Sequence, residues 1–249
     1  AALLDTLLAG MREALGANLV GIYLRGSLAL GDFEPDASDV DFFAITTRPM
    51  TDAEFAALAA LHAALSASPN PYGAHLEGPY LDRAAAWRYQ PGQRMAAIAR
   101  TEALAWSEPG ANWVIERWVV RERGVTLLGP DPRTLIAPIS ADDLRAAARA
   151  RLPDWANFAR QTDDPEWQAH RGHKAYCVET MCRALHTIAT GEAQTKPQAV
   201  AWALANLPEP WRATVARSRA WHGDPTRDDS LNPEVQRFIL WAASQAETR

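Results

Sequence analysis

The sequence predicts an α+β unit over residues 1–138, a mixed sheet with helices, followed by an all-α helical-bundle unit over 139–249. Three observations carry that reading. Short β-rich runs alternate with amphipathic helical patterns in the first part, every segment beyond Ser140 is helix-like, and the Pro-rich stretch "VTLLGPDPRTLIAP" (125–138) leads from one to the other. With 249 residues, 48% of them hydrophobic, the chain can bury more than one core.

The elements follow in order. "AALLDTLLAGMREAL" (1–15) is apolar at helical intervals through Leu3, Leu4, Leu7, Leu8, Met11 and Leu15, is interrupted by Asp5 and lacks a basic leader, so it reads as an amphipathic helix and not a secretion signal. "ANLVGIYLRGS" (17–27) reads as a strand running into a tight turn, and "DVDFFAIT" (39–46) as a second strand. Thr51 with Glu54 forms a capping-box signature for a helix through Leu58, His62 and Leu65, ended by "SPNPYG" (68–73). "AHLEGPYLD" (74–82) reads as a third strand, and its Gly78-Pro79 pair suggests an edge or a bulge. Residues 84–110 are turn-rich and read as a connector. "NWVIERWVVRERG" (112–124) reads as a helix stopped at Gly124, with 116–123 as its solvated charged face. In the second unit Ser140 and Asp143 cap a helix over 141–161, a helix over 166–191 ends at Gly191, and Asn232-Pro233 opens the last one.

A net charge of −5 argues against a general phosphate-neutralising surface, so no nucleic-acid partner is expected and a small or cationic partner fits better. No stretch is long and apolar enough to span a membrane. Cys177 and Cys182, five apart in a helical segment, point to different faces and read as buried apolar residues of a reducing cytoplasm.

The chemistry concentrates in "RGSLALGDFEPDASDVDFFAIT" (25–46). Strands disfavour Asp, yet Asp39 and Asp41 stand at the start of an apolar run. On a strand, i and i+2 share a face about 7 Å apart, so the two carboxylates repel unless a cation lies between them. Magnesium suits such a pair, because it binds through one or two carboxylates and completes its shell with water and phosphate oxygens. The Gly26-Ser27 turn offers backbone N–H groups and a hydroxyl for a phosphate. Glu77, in an apolar frame on the next strand, is the third acid of an expected two-metal phosphoryl-transfer site. His170 and His173, at i and i+3, invite a zinc reading, but without a third ligand nearby they read as surface or packing residues.

The pattern Gly26-Ser27, then Ser38-Asp39-Val40-Asp41, then an isolated acid at Glu77 resembles the nucleotidyltransferase superfamily that shares its fold with DNA polymerase beta. It is similar in particular to the aminoglycoside adenylyltransferases of the streptomycin/spectinomycin type, through "WRY" (87–89), "GVTLLGPDPRTLIAPISADDL" (124–144) and "CRALHTIATGEAQTKPQAVAWALANLP" (182–208). The resemblance implies a nucleotidyltransferase fold followed by a helical domain that closes the nucleotide and acceptor cleft. It also implies ATP as substrate, two Mg2+ ions, and transfer of AMP to a hydroxyl of an aminoglycoside or aminocyclitol-like compound, hence antibiotic resistance. Ser27 and Ser38 would touch the phosphates, Asp39 and Asp41 would bind the metal, and Glu77 would be both a metal-linked acid and the base. Arg183 and Lys196 would reach the triphosphate, and Trp221 or His222 would lie by the adenine or ribose. His173 stands where streptomycin enzymes use an acid for the drug, and the aromatic of the connector is Trp106 or Trp113. The expected protein is a cytoplasmic monomer acting on a small acceptor, which the acidic composition allows to be polycationic. Two alternatives stand beside it: a nucleotidyltransferase that modifies a protein or tRNA, which the long helical part disfavours, and a nucleotide-binding regulatory protein without turnover, which three clustered acids disfavour.

Overall fold

A computed structural model describes residues 2–35 and 38–245, which divide into two compact units, 1–138 and 139–249. The first contains α1 (Ala2–Leu15), β1 (Leu19–Leu24), α2 (Gly26–Leu30), β2 (Val40–Thr46), α3 (Asp52–Ser66), β3 (Leu76–Asp82), α4 (Arg83–Trp87), β4 (Met95–Ile98), β5 (Ala105–Ser107), α5 (Asn112–Arg123) and β6 (Val125–Leu128). The strands form one sheet in the order β5-β4-β3-β2-β1-β6. β2 and β3 are parallel, joined through α3 as a parallel pair requires, and every other pairing is antiparallel.

The core follows from the apolar spacing. α1 buries Leu3, Leu7, Met11 and Leu15, one per turn, and α3 buries Leu58, His62 and Leu65. These pack with Ile22, Phe42, Leu76 and Tyr80 of the sheet. Thr51 and Glu54 form the capping box of α3. His62 lies in the core: it is buried, and its Nε2 is 2.7 Å from the Tyr80 hydroxyl. β2 is covered on both faces, and Asp41 is its one residue that is not fully buried.

Four sequence readings need correction. The stretch 84–110 is not only a connector, because it supplies β4 and β5, strands of four and three residues held by pairing to β3 and to each other. β3 is an interior strand despite Gly78-Pro79. Its register with β2 sets Asp41 opposite Glu77 and resumes at Ala44 opposite Tyr80, so the proline falls where that ladder is interrupted. Residues 116–123 are not a solvated face, for Arg117 is 1% exposed and donates to the carbonyls of Ala85 (2.7 Å) and Trp113 (3.0 Å). Finally, Gly26 and Ser27 do not end the first strand but open the short helix α2.

The second unit is all helix: α6 (Ala141–Arg160), α7 (Arg171–Thr190), α8 (Lys196–Asn206), α9 (Trp211–Ser218) and α10 (Asn232–Ser244). Ser140 with Asp143 and Thr195 with Gln198 form capping boxes on α6 and α8. α7 starts later than its sequence pattern, because Pro165–Gln168 forms a separate 3-10 turn and the His170 side chain accepts from the His173 N–H as the cap. Gly191 ends α7 at φ 75°. Cys177 and Cys182 are free and buried, and burial pushes both thiols up to about 12. Among the described residues no helix is long and apolar enough to cross a membrane.

Candidate active site

The neighbouring ends of β2 and β3 hold the acids, beside the end of β1. Parallel register places Asp41 directly beside Glu77, so their side chains leave the sheet on one face as cross-strand neighbours. Asp39 lies just before β2, in reach of Arg100, whose Nη1 is 3.4 Å from Asp39 Oδ1. The Arg25 N–H extends the β1 and β2 ladder by donating to the Asp41 carbonyl at 3.0 Å. Gly26 follows at φ 60°, and a Cβ there would meet Asp41 Oδ2 at 2.0 Å. The Asp41 carboxylate therefore lies against the bare α-carbon of the turn, which only glycine permits. Ser38 closes its own loop: its N–H donates to the Glu34 carbonyl (2.8 Å) and its Oγ accepts from the Glu34 N–H (2.9 Å).

A buried arginine occupies the centre of these acids. Arg25 Nη2 is 3.0 Å from Asp41 Oδ1 and 3.5 Å from Glu77 Oε1, and its Nη1 is 2.8 Å from Glu116 Oε2 on α5. Trp113, also on α5, lies under the guanidinium with its ring centroid 5.4 Å away. Neither Arg25 nor Glu116 was marked by sequence. The available signal was a basic residue directly before Gly-Ser at the end of an apolar strand; Glu116, inside a charged helix stretch, carried none. Of the two connector aromatics, Trp113 adjoins the acids through Arg25, whereas Trp106 stacks on Phe55 of α3 at 5.5 Å.

Burial pushes the Asp41 carboxyl up to about 6 even with Arg25 beside it, and the carboxylates of Glu116, Glu77 and Asp39 add to the rise. Glu77 is pushed upward for the same leading reason, offset by Arg25. Resident positive charge thus falls short of what the acids require. The oxygen donors of Asp39 and Asp41 fit a hard divalent cation such as magnesium, although among the described residues no three metal-ligating side chains converge. The third acid, Glu77, is held by Arg25.

The second unit carries the remaining candidates. Arg183, on α7, is half-buried and makes no hydrogen bond or ion pair among the described residues. Lys196 is the first residue of α8, and its Nζ lies 5.1 Å from the ring centroid of Tyr176. A cation at a helix N-terminus opposes the dipole, so the place suits an anion that the lysine and the helix would share. Tyr176, two turns before Arg183 and 42% exposed, is a further candidate that sequence reading passed over. Trp221 is 3% exposed and packs within the second unit. Its neighbour His222 keeps an open ring, with Nδ1 2.8 Å from Glu179 Oε1. Glu179 therefore pairs with His222 and not with Arg183. His173 faces an acid after all, since its Nε2 is 3.6 Å from Glu166 Oε2.

The architecture matches the crystal structure of spectinomycin adenyltransferase AAD(9) from Enterococcus faecialis with ATP and spectinomycin. That likeness of fold covers 99% of this chain and 98% of the other, at a TM-score of 0.77 and 16% identity. On that fold, this chain sets paired acids at the ends of parallel strands beside a Gly-Ser turn. Residues 134–244 match the C-terminal domain family of aminoglycoside adenylyltransferases. An aminoglycoside (3'') (9) adenylyltransferase of Klebsiella pneumoniae is 25% identical over 243 residues, 93% of this chain and 88% of its own length. A spectinomycin 9-adenylyltransferase of Staphylococcus aureus is 22% identical over 256 residues, 96% of this chain and 92% of its own. The second unit thus matches the C-terminal domain of aminoglycoside adenylyltransferases, and the chain as a whole is similar to enzymes of that family.

Proposed function

We propose that the protein moves AMP from ATP to a hydroxyl of spectinomycin or a related aminoglycoside, with Glu77 as the general base. The observation that carries this reading is the register of β2 on β3, which sets Glu77 beside Asp41 with Asp39 two residues before it. Glu77 is the most open of the acids paired to Arg25, with 40% of its side chain exposed. Its upward shift brings its proton affinity closer to neutrality, as suits a base that must take a proton from an acceptor hydroxyl. General-base help of this kind is worth roughly 10² to 10⁴-fold.

Asp39 and Asp41 would hold magnesium, which when bound neutralises phosphate charge and orients the α-phosphate for in-line attack. Gly26 and Ser27 would bring backbone N–H groups and a hydroxyl toward the phosphates, and Ser38 would contribute its N–H and hydroxyl on exchanging its Glu34 partner for the nucleotide. Arg183 and Lys196 would take the charge of the triphosphate and of departing pyrophosphate. Lys196, set against the dipole of α8 and, among the described residues, answered only by the Tyr176 ring, supports that role. Two magnesium ions are what the resemblance implies, but the carboxylate oxygens of Asp41 and Glu77 that a second would need face Arg25.

The solved relative is bound to spectinomycin, and His173 departs from the acid implied for streptomycin-type acceptors, so spectinomycin is the first acceptor to test. Incubation with ATP and magnesium should add AMP to spectinomycin, read by mass spectrometry across an acceptor panel. Glu77→Gln should lose transfer while keeping ATP binding. Full transfer by that variant would remove Glu77 from its role, and no adduct with any aminoglycoside or aminocyclitol in the panel would overturn the reading.

A further inference from the structure

Arg25 is 5% exposed and fastened on three sides. Nη1 pairs with Glu116 Oε2 at 2.8 Å, Nε donates to the Phe42 carbonyl at 3.2 Å, and the Trp113 ring lies 5.4 Å from the guanidinium carbon. Only Nη2 is left over, and it reaches both Asp41 Oδ1 (3.0 Å) and Glu77 Oε1 (3.5 Å). Since these two acids are register partners on adjacent strands, the guanidinium bridges the carboxyls that a shared divalent ion would bridge. Swinging it aside would strand Glu116 in a largely buried place without its cation, which is strongly unfavourable. The Asp39 end differs. There the partner is Arg100, 42% exposed and 3.4 Å away, a solvated pair that an incoming ion can displace at little cost.

We propose that Arg25, anchored by Glu116 and Trp113, is a positioning residue that serves as the permanent cation of the Asp41 and Glu77 pair, so that the loaded site takes one divalent ion, at Asp39 and Asp41, instead of two. The proposal rests on the nucleotidyltransferase reading. Arg25 carries a fixed charge, because a guanidinium does not give up its proton in a protein, and the surrounding acids raise its proton affinity further. It delivers that charge through Nη2 of a planar group whose Nη1 and Nε are spent on Glu116 and the Phe42 carbonyl. Glu77 is thereby aimed without ligating metal, and its second oxygen stays available for the acceptor proton.

Mn2+ binding followed by electron paramagnetic resonance, with the full chain and α,β-methylene-ATP, tests this through stoichiometry rather than turnover. Wild type should bind one Mn2+ per chain and Arg25→Met two. Because Arg25→Met alone leaves Glu116 without its cation, the double variant Arg25→Met with Glu116→Met, which removes both charges and keeps the volume, is measured beside it and should also bind two. Two ions in wild type would overturn the proposal, as would a single ion in the folded double variant. An absence of nucleotide-dependent Mn2+ binding in all three proteins would instead overturn the nucleotidyltransferase reading on which the proposal rests, and the proposal with it.

Discussion

Replacing Gly26 by alanine puts one methyl group into the contact between the turn and Asp41. At φ 60° an added Cβ would lie 2.0 Å from Asp41 Oδ2 and 2.8 Å from its Cγ. Two costs arise. The left-handed backbone costs an L-residue about 1–2 kcal/mol, which for a chain of this size lowers the Tm by roughly 2 to 8 °C. The overlap itself cannot stand: ordinary van der Waals contact begins at 3.4 Å, so the carboxylate or the turn must shift by more than an ångström. Misplacement of that size costs about 10²-fold in rate where reacting groups must be aligned, and it also opens the 3.0 Å pair between Asp41 and Arg25. Pyrophosphate release with ATP, magnesium and spectinomycin should therefore show kcat reduced by about 100-fold in a protein that still melts cooperatively. A folded Gly26→Ala protein with kcat within about threefold of wild type, well short of that loss, would refute the claim that this close approach sets the Asp41 carboxylate.

Further expectations concern charge and burial. Lys196→Ala should raise the KM for ATP by roughly tenfold or more, the worth of a charge-assisted hydrogen bond, yet leave the Tm unchanged or higher because a cation leaves the N-terminus of α8; a fall in Tm without a change in KM would make the lysine structural. Burial holds His62 down to about 4, so the folded protein resists its protonation. The associated stability is complete above about pH 6.5 and is lost as pH falls through 4, by about 3 kcal/mol in all, and in urea titrations across that range His62→Gln should flatten the pH dependence. Arg117→Met leaves the carbonyls of Ala85 and Trp113 without their donor and should cost about 2–4 kcal/mol, read as a lower urea midpoint; a loss below about 0.5 kcal/mol would place it with ordinary surface substitutions.

Much of this protein is written in local pattern. The one-per-turn leucines of α1, the capping boxes at Thr51 and Ser140, and the β-rich runs of β1 and β2 depend on neighbours a few residues away, so sequence periodicity reveals them. The same holds for the suspicion that falls on Asp39 and Asp41, because acids at the mouth of an apolar strand conflict with its own chemistry.

Other features came only with the tertiary structure. β4 and β5 are too short to show a period and exist because β3 offers them an edge to pair with. Charges on α5 look alike in sequence, and only packing decides that Arg117 is buried while Glu116 turns to Arg25, a residue 91 positions away. The partnership of Asp41 and Glu77 is a matter of parallel register across a crossover. The reason is physical: helices and caps are settled by bonds within a few residues, whereas the charge balance of this site is settled by which side chains the sheet brings together, and by how much water is excluded when it does.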